Sequence, residues 1–291
     1  MRALITGGGG QLASDLEQLL DDAHVFARSE LDITDDAALA SRLAAIQPDV
    51  VFNCAAFHNV DVCEREEDRS FEVNARAVKR LAQRCAEANI RLVHYSTNYV
   101  FDGRANEPYS EQDRPNPRSV YAISKLAGEY TALTYAPGAL VVRSSGLYGL
   151  HGSASKGGNF VTRMLARARE QGQLRMVSDQ RLTPTFTRDL AAASLAALQK
   201  RTEGLIHLTN AGQCSWYEFT QAILELAAID VPIEPVSTTI PPGSPDRPLN
   251  GVLANARADA LGLEPLRSWR EALADYMELA DLIAASSAQR S

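Results

Sequence analysis

A short apolar run that breaks into four glycines and then resumes as a helix leaves the front of this chain very few folds. Residues 2–6 have the composition of a buried strand. Gly7-Gly8-Gly9-Gly10-Gln11-Leu12-Ala13 follows, and Leu12, Leu16, Leu19 and Leu20 then recur at helical spacing. Strand, glycine turn and helix, in that order, form the setting in which glycines have a physical task. Missing side chains let the backbone approach a pyrophosphate, and the helix N-terminus offers free N–H groups and a positive dipole end. The run fits G-x-G-x-x-A from Gly8 and G-x-x-G-x-x-A from Gly7 alike, and Ala13 permits close helix–strand packing.

The next elements repeat the alternation. Val25-Phe26-Ala27 predicts a second strand ending at Arg28-Ser29, where a dinucleotide fold reads the adenosine ribose. Arg28 suits a 2′-phosphate, so NADPH is the expected cofactor, with NADH as the alternative. Asp32 and Ile33 are placed to flank the adenine, and Thr34 or Asp35 to cap a helix over residues 37–46. Residues 48–56 form a continuous apolar strand, as in a sheet buried on both faces, and small Ala55 and Ala56 leave room at its end. A helix over 68–88 and a strand over 91–95 complete a βαβαβαβ order, which calls for a doubly wound parallel sheet with right-handed crossovers.

Further on, the pattern predicts a strand over 140–143, helices over 160–171 and 190–198, and a strand over 204–209. A helix over 216–228, capped by Ser215, and a last amphipathic helix from Trp269 to about Ile283 follow. Prolines exclude regular structure from 240–248. The Gly- and Ser-rich stretch 151–159 is expected to be a substrate-side lid. The division expected is α/β: residues 1–145 form a Rossmann dinucleotide-binding domain to which 180–210 return. Residues 146–179 and 211–291 form a smaller interleaved substrate lobe.

Two stretches carry the chemistry. Ser96-Thr97-Asn98 lies where the fourth strand runs out into a polar turn, and Tyr121 and Lys125 stand four residues apart on one helix face. A ketone reduced by hydride transfer leaves charge on oxygen, which needs a proton. A nearby ammonium is expected to lower the phenol's pKa from about 10, so that Tyr121 can supply that proton. Lys125 is also placed to bond the nicotinamide ribose. Thr97, ahead of Ser96, is the hydroxyl expected to polarise the carbonyl, because adjacent strand residues face opposite sides. With nine Tyr and four Lys in 291 residues, chance supplies only about 0.1 Tyr-x-x-x-Lys pairs. His24, His94 and His207 lie in or beside strands and read as structural, and Trp216 and Trp269 as packing residues. The Asp61, Glu64, Glu66, Glu67, Asp68 run reads as solvated charge.

Composition narrows the partners. At 45% hydrophobic and 22% charged the chain is an ordinary globular protein. It has no run long enough to span a bilayer, and glycines interrupt the first apolar run too early for a signal peptide, so a cytoplasmic, membrane-free protein is expected. A net charge of −7 argues against nucleic acid but leaves room for a small anionic substrate at a local Arg cluster. Four cysteines without a metal-type pair are expected to be reduced, partly buried thiols, and no metal site is expected.

At these residues the chain resembles the extended short-chain dehydrogenase/reductase superfamily, and within it the dTDP-4-dehydrorhamnose reductase family. The resemblance runs through Gly10-Gln11-Leu12, Leu31-Asp32-Ile33-Thr34-Asp35, Val73-Asn74, Ser96 to Gly103, Tyr121 to Glu129, Asn159-Phe160-Val161, Ser215 to Phe219 and Arg247-Pro248-Leu249. It implies reduction of the 4-keto group of a dTDP-linked deoxyhexulose with NADPH or NADH, in an enzyme for which a homodimer is compatible. Tyr121 would be the proton donor, Lys125 its partner and Thr97 the polarising hydroxyl. Gly10, Gln11, Leu12, Asp32, Ile33, Ala55, Ala56, Phe57 and Tyr95 would line the cofactor. Two positions depart on the substrate side: Asn98 replaces an Asp, and Gly146 stands where the family carries a Trp. Other roles on this scaffold are a cofactor-binding regulatory subunit, resembling the β subunit of methionine adenosyltransferase, and a reductase or epimerase of another nucleotide sugar.

Overall fold

The computed structural model describes residues 1–151, 158–241 and 243–283. Strand β1 (Arg2–Thr6) is buried from Ala3 onward because it runs through a sheet covered on both faces. Strand β2 (Asp22–Phe26) pairs with one side of β1, and β3 (Val50–Asn53) with the other. Beyond β3 lie β4 (Arg91–Thr97), β5 (Leu140–Ser144) and the Gly204–His207 strand, and every pairing in this six-stranded sheet is parallel. The chain thus leaves β1 for β2 on one side and returns to β3 on the other. Ligands of such sheets bind beyond the carboxyl ends at that reversal. The glycine turn, Cys54-Ala55-Ala56 and Ser96-Thr97 all lie there.

Alternation along the strands explains the two layers. Ala3, Ile5, Val93 and Val142 face α1 (Gln11–Gln18) and the Thr187–Gln199 helix, joining Leu12, Leu16, Leu190 and Ala191 in one core. Leu4, Val51, Leu92 and Val141 face α2 (Asp36–Ile46) and the helices that follow it, joining Leu39, Leu43, Val78, Leu81 and Ala132 in another. A third core is strongly aromatic. Tyr148, Phe186, Phe219, Trp269 and Tyr276 meet there among the Phe160–Gln171, Trp216–Leu226 and Trp269–Leu279 helices. Each of these three helices starts with a capping box, on Asn159, Ser215 and Ser268. Trp269 is buried in that core and Trp216 lies 4.3 Å from Phe160, so both tryptophans pack, as expected.

Several boundaries differ from the expectation for local reasons. The second strand stops at Phe26 because the Ala27 N–H turns to Glu30 Oε2, 2.8 Å away. Asp35 rather than Thr34 caps α2, accepting from the Ala38 N–H. After a separate short α3 (Val60–Arg65), the helix predicted over 68–88 runs from Glu67 to Glu87, with α4 (Glu67–Phe71) and α5 (Ala77–Glu87) joined without a break by a π-helical turn (Glu72–Arg76). Only α5 carries the apolar stripe of Val78, Leu81 and Cys85. Upstream, the widened π turn carries Asn74 inward to bonds that a regular helix would not serve. The lid expected over 151–159 falls largely on residues 152–157, which lie outside the described residues.

Candidate functional site

Helix α1 begins at Gln11, and its N-cap, Gly10, has no side chain with which to cap it. Its first N–H groups are therefore left to an anion. Gly7 has φ +78°, and a Cβ on it would lie 2.8 Å from the Ala55 nitrogen, so the turn passes between strand ends only as glycine. Gly9, at φ +76°, has nothing within 4 Å of a would-be Cβ. Gln11 Oε1 is buried without a partner, an orphaned acceptor at the mouth of the turn. An open glycine, an uncapped helix start and an orphaned polar atom fit a bound dinucleotide.

At the far end of that groove Arg28 Nε donates to Asp32 Oδ2 at 2.9 Å, with the guanidinium mostly exposed. Burial pushes the Asp32 carboxyl up, but bonds from the Thr34 N–H and hydroxyl, with Arg28, bring it below the usual carboxylate range. Arg28 is thus held by one edge and presents its other nitrogens outward. Ile33 is buried beside it, while Ala55, Ala56 and Phe57 are half-buried.

The catalytic candidates converge beyond β4. The half-buried Tyr121 phenol lies close to the Thr97 hydroxyl, and its ring meets Tyr99 edge-on at 5.8 Å. Ser96 points the other way, into the core, donating to Glu129 Oε1 at 2.5 Å. Strand alternation therefore selects Thr97. Lys125 is buried and donates from Nζ to the Tyr95 carbonyl at 2.6 Å. Desolvation brings its pKa down from 10.5 to about 8, against the pull of Glu129 and Cys54. The expected lowering of the Tyr121 pKa is overturned. Burial pushes the phenol above 10.0, Tyr99 and Cys63 add to this, and the nearby Thr97 hydroxyl opposes it. Tyr95 serves through its carbonyl, since its ring is packed in the core beneath the Thr187–Gln199 helix.

Sequence reasoning missed what holds these groups in place. Asn74 accepts from the Phe57 N–H and donates to the Phe57 carbonyl, both at 2.9 Å, and donates to Ser124 Oγ at 3.0 Å. It thereby ties the cofactor groove to α6 (Val120–Tyr135), the helix of Tyr121 and Lys125. Gly128 permits that contact, since a Cβ there would sit 2.2 Å from the Asn74 carbonyl oxygen. Beneath lies a buried ion pair: Arg143 bonds Glu129 twice, at 2.8 and 2.6 Å, and its guanidinium lies 5.0 Å from the Phe101 ring centroid. An acid at 129 and a base at 143 were visible in the sequence, but nothing local joined them. Glu129→Ala leaves this arginine buried and unpaired, so a loss of about 3–5 kcal/mol is expected in denaturant unfolding. An unchanged midpoint and slope would show that the pair is dispensable.

His94 and His207 belong to this framework. His94 Nδ1 pairs with Asn53 Nδ2 at 3.0 Å, and burial keeps its pKa well below the usual value. His207 is pushed down to about 3 by burial and by Arg143. Both stay neutral and structural at physiological pH. The four cysteines are free thiols, with only Cys54 partly exposed.

On the substrate side, Asn98 is buried and turned onto the Asn250–Gly251 strand. A Cβ at Gly251 would lie 2.1 Å from its Nδ2, and its Oδ1 accepts from Thr97 Oγ1 at 3.3 Å. Gly146 has φ +58°, where a larger residue is strained, and a Cβ on it would be 2.7 Å from Leu182 Cδ1, so that leucine would have to move. The charge-rich run after Phe57 is solvated as expected, with Asp61, Glu66, Glu67 and Asp68 exposed. It forms α3, where Glu64 Oε1 accepts from the Val120 N–H at 2.8 Å and seats the start of α6. Among the described residues no helix is long and apolar enough to cross a membrane.

A family model described as the RmlD substrate binding domain matches residues 1–281. The chain is 38% identical over 287 residues to the dTDP-4-dehydrorhamnose reductase of Streptomyces griseus, across 94% of this chain and 92% of that protein. The crystal structure of a dTDP-4-dehydrorhamnose reductase from Clostridium acetobutylicum superposes with a TM-score of 0.92 at 36% identity, covering 97% of this chain and 100% of that one. The enzyme of the same name from Bacillus anthracis, solved in complex with NADP, gives 0.91 at 32% identity, covering 96% and 99%.

Proposed function

This chain belongs to the dTDP-4-dehydrorhamnose reductase family, and we propose that it reduces the 4-keto group of a dTDP-linked deoxyhexulose, dTDP-4-dehydrorhamnose first among them, with NADPH. It is an NAD(P)H-dependent oxidoreductase, and the bound nicotinamide supplies the hydride. The observation that carries the reading is the convergence of the Thr97 hydroxyl and the Tyr121 phenol at the carboxyl end of β4, with Lys125 one helical turn away. Two hydroxyls so close together can both bond one carbonyl oxygen placed between them. Thr97 then polarises that oxygen, and Tyr121 delivers its proton as charge develops. Because burial keeps the phenol protonated, Tyr121 is loaded for reduction throughout the neutral range. Lys125, fixed by the Tyr95 carbonyl, sets a cation beside the developing phenolate.

The cofactor groove supports NADPH. Gly7, Gly10, Gln11 and Leu12 would hold the pyrophosphate, Asp32 and Ile33 the adenosine, and Ala55, Ala56 and Phe57 the nicotinamide end, with Arg28 facing the 2′-phosphate. Arg28→Ala is expected to raise KM for NADPH by about tenfold while leaving KM for NADH nearly unchanged. Equal effects on both would remove Arg28 from phosphate recognition. Asn98 and Gly146 would shape the sugar subsite. The sugar assignment is tested by NADPH consumption with dTDP-4-dehydrorhamnose. Saturable turnover is expected, and its absence with NADPH bound would overturn that substrate.

A further inference from the structure

Residues 245–249 cross the rim of the site as a strap. Pro245 and Pro248 are buried, whereas Arg247 and Leu249 face outward. The strap is seated on Gly103, where a Cβ would lie 2.5 Å from Pro248 Cα, and the Asn250 N–H donates to the Gly103 carbonyl at 3.1 Å. On one side Asp246 pairs with Arg118 at 3.4 Å, and on the other Arg247 Nη2 donates to Asp61 Oδ2 at 3.0 Å. Asp61 belongs to α3, just past the cofactor-groove residue Phe57.

Arg247 and Asp61 are each about half exposed, at 43% and 52% of their side chains. A pair so wet adds little to the fold. Its position is what matters. The Arg247 guanidinium also lies close enough to the Tyr99 phenol for its charge to act on it, and the Tyr99 ring stands edge-on to Tyr121. A solvent-accessible guanidinium therefore sits one ring away from the proton donor, held by a single carboxylate. A diphosphate offers more charge and more acceptor oxygens than one carboxylate, in the paired geometry that a guanidinium matches.

We infer that Arg247 receives the diphosphate of the nucleotide sugar, and that Asp61 holds the guanidinium in the anion's place until substrate displaces it. This rests on the nucleotide-sugar reading above and adds the residue that recognises the linker. It also fixes a sign. Asp61 competes with substrate, so removing its charge strengthens binding, whereas removing Arg247 weakens it. A pair kept only for structure would give the same direction in both variants.

The test is calorimetric binding of thymidine diphosphate, and of thymidine as the uncharged control, to the NADPH-loaded full chain at fixed low salt. Arg247→Met is expected to weaken thymidine diphosphate by about tenfold or more without changing thymidine or NADPH affinity. Asp61→Asn is expected to tighten it by about threefold, and the double variant to behave as Arg247→Met alone. Should Arg247→Met lose NADPH binding through misfolding, Arg247→Lys carries the same arm, with intermediate weakening expected. Unchanged affinity in the Arg247 variant, or weakening in Asp61→Asn, overturns the inference while leaving the nucleotide-sugar reading in place. No binding of thymidine diphosphate to the unaltered protein overturns both.

Discussion

Tyr121→Phe is expected to lower kcat by about 10²–10⁴-fold while leaving NADPH affinity nearly unchanged. The substitution removes one oxygen and keeps the ring, so the edge-on contact with Tyr99 survives. What disappears is the phenolic proton beside Thr97. The size of the effect follows from the reaction, because a transferred hydride leaves an alkoxide that needs a proton, and Tyr121 is the general acid placed to give it. The raised phenol pKa adds a direction. Reduction needs the protonated form and should vary little with pH through neutrality on account of this group. The reverse oxidation needs the phenolate and should gain as pH rises. Full activity in Tyr121→Phe, measured by single-turnover kinetics with NADPH in excess, would remove the phenol from the mechanism.

Lys125→Met should separate activity from stability. Turnover is expected to fall by about 10²-fold or more, since the cation beside Tyr121 is lost. Stability at pH 7 is expected to rise or hold. The Lys125 pKa is about 8 in the fold against 10.5 when unburied, so the folded protein bears the cost of a desolvated ammonium at every pH below about 8. Between about 8 and 10.5 the unfolded chain keeps a proton that the folded chain has released, so the unaltered protein gains stability as pH rises through that window. The gain of the Met variant at pH 7, at most about 3 kcal/mol, should shrink to nothing by the top of that window. Denaturant unfolding at pH 7 and pH 10 reads this directly. A Met variant less stable than the parent at pH 7 would mean that Lys125 holds the fold together rather than being carried by it. The same titration predicts that reduction declines above about pH 8.

The periodic parts of this molecule were legible because their signals are local. The glycine turn, the continuous apolar strand at 50–53, the Phe160–Gln171 helix and the Ser215 cap each follow from neighbours in sequence. Ser96 and Thr97 could be separated by strand alternation alone. Three features were not legible, for one physical reason. The π turn that carries Asn74, the Glu129–Arg143 pair and the Arg247–Asp61 contact are fixed by partners 17, 14 and 186 residues apart. No period or propensity encodes such a distance. The Tyr121 pKa was misjudged similarly. Helical spacing places an ammonium near the phenol, but it cannot report that the ammonium is spent on a carbonyl and that burial outweighs it.

The two departures on the substrate side now have structural content. Asn98 keeps its shape against Gly251 and its bond to Thr97, so the polar turn is preserved while the charge is gone. Gly146 turns at a positive φ of +58° beside Leu182, a backbone conformation in which an aromatic side chain would be strained. Both changes bear on which sugar is held. Neither touches the Thr97–Tyr121–Lys125 arrangement.

The central claim is that this arrangement moves a hydride from NADPH to the sugar's C4. The most direct measurement is to supply NADPH deuterated at both C4 positions together with dTDP-4-dehydrorhamnose and to examine the recovered sugar nucleotide by NMR. The predicted result is one deuterium at the reduced sugar carbon, formed by the unaltered protein and lost in Tyr121→Phe. Recovery of unlabelled starting sugar, with NADPH bound but unconsumed, would contradict that claim and leave a protein that binds the cofactor without using it.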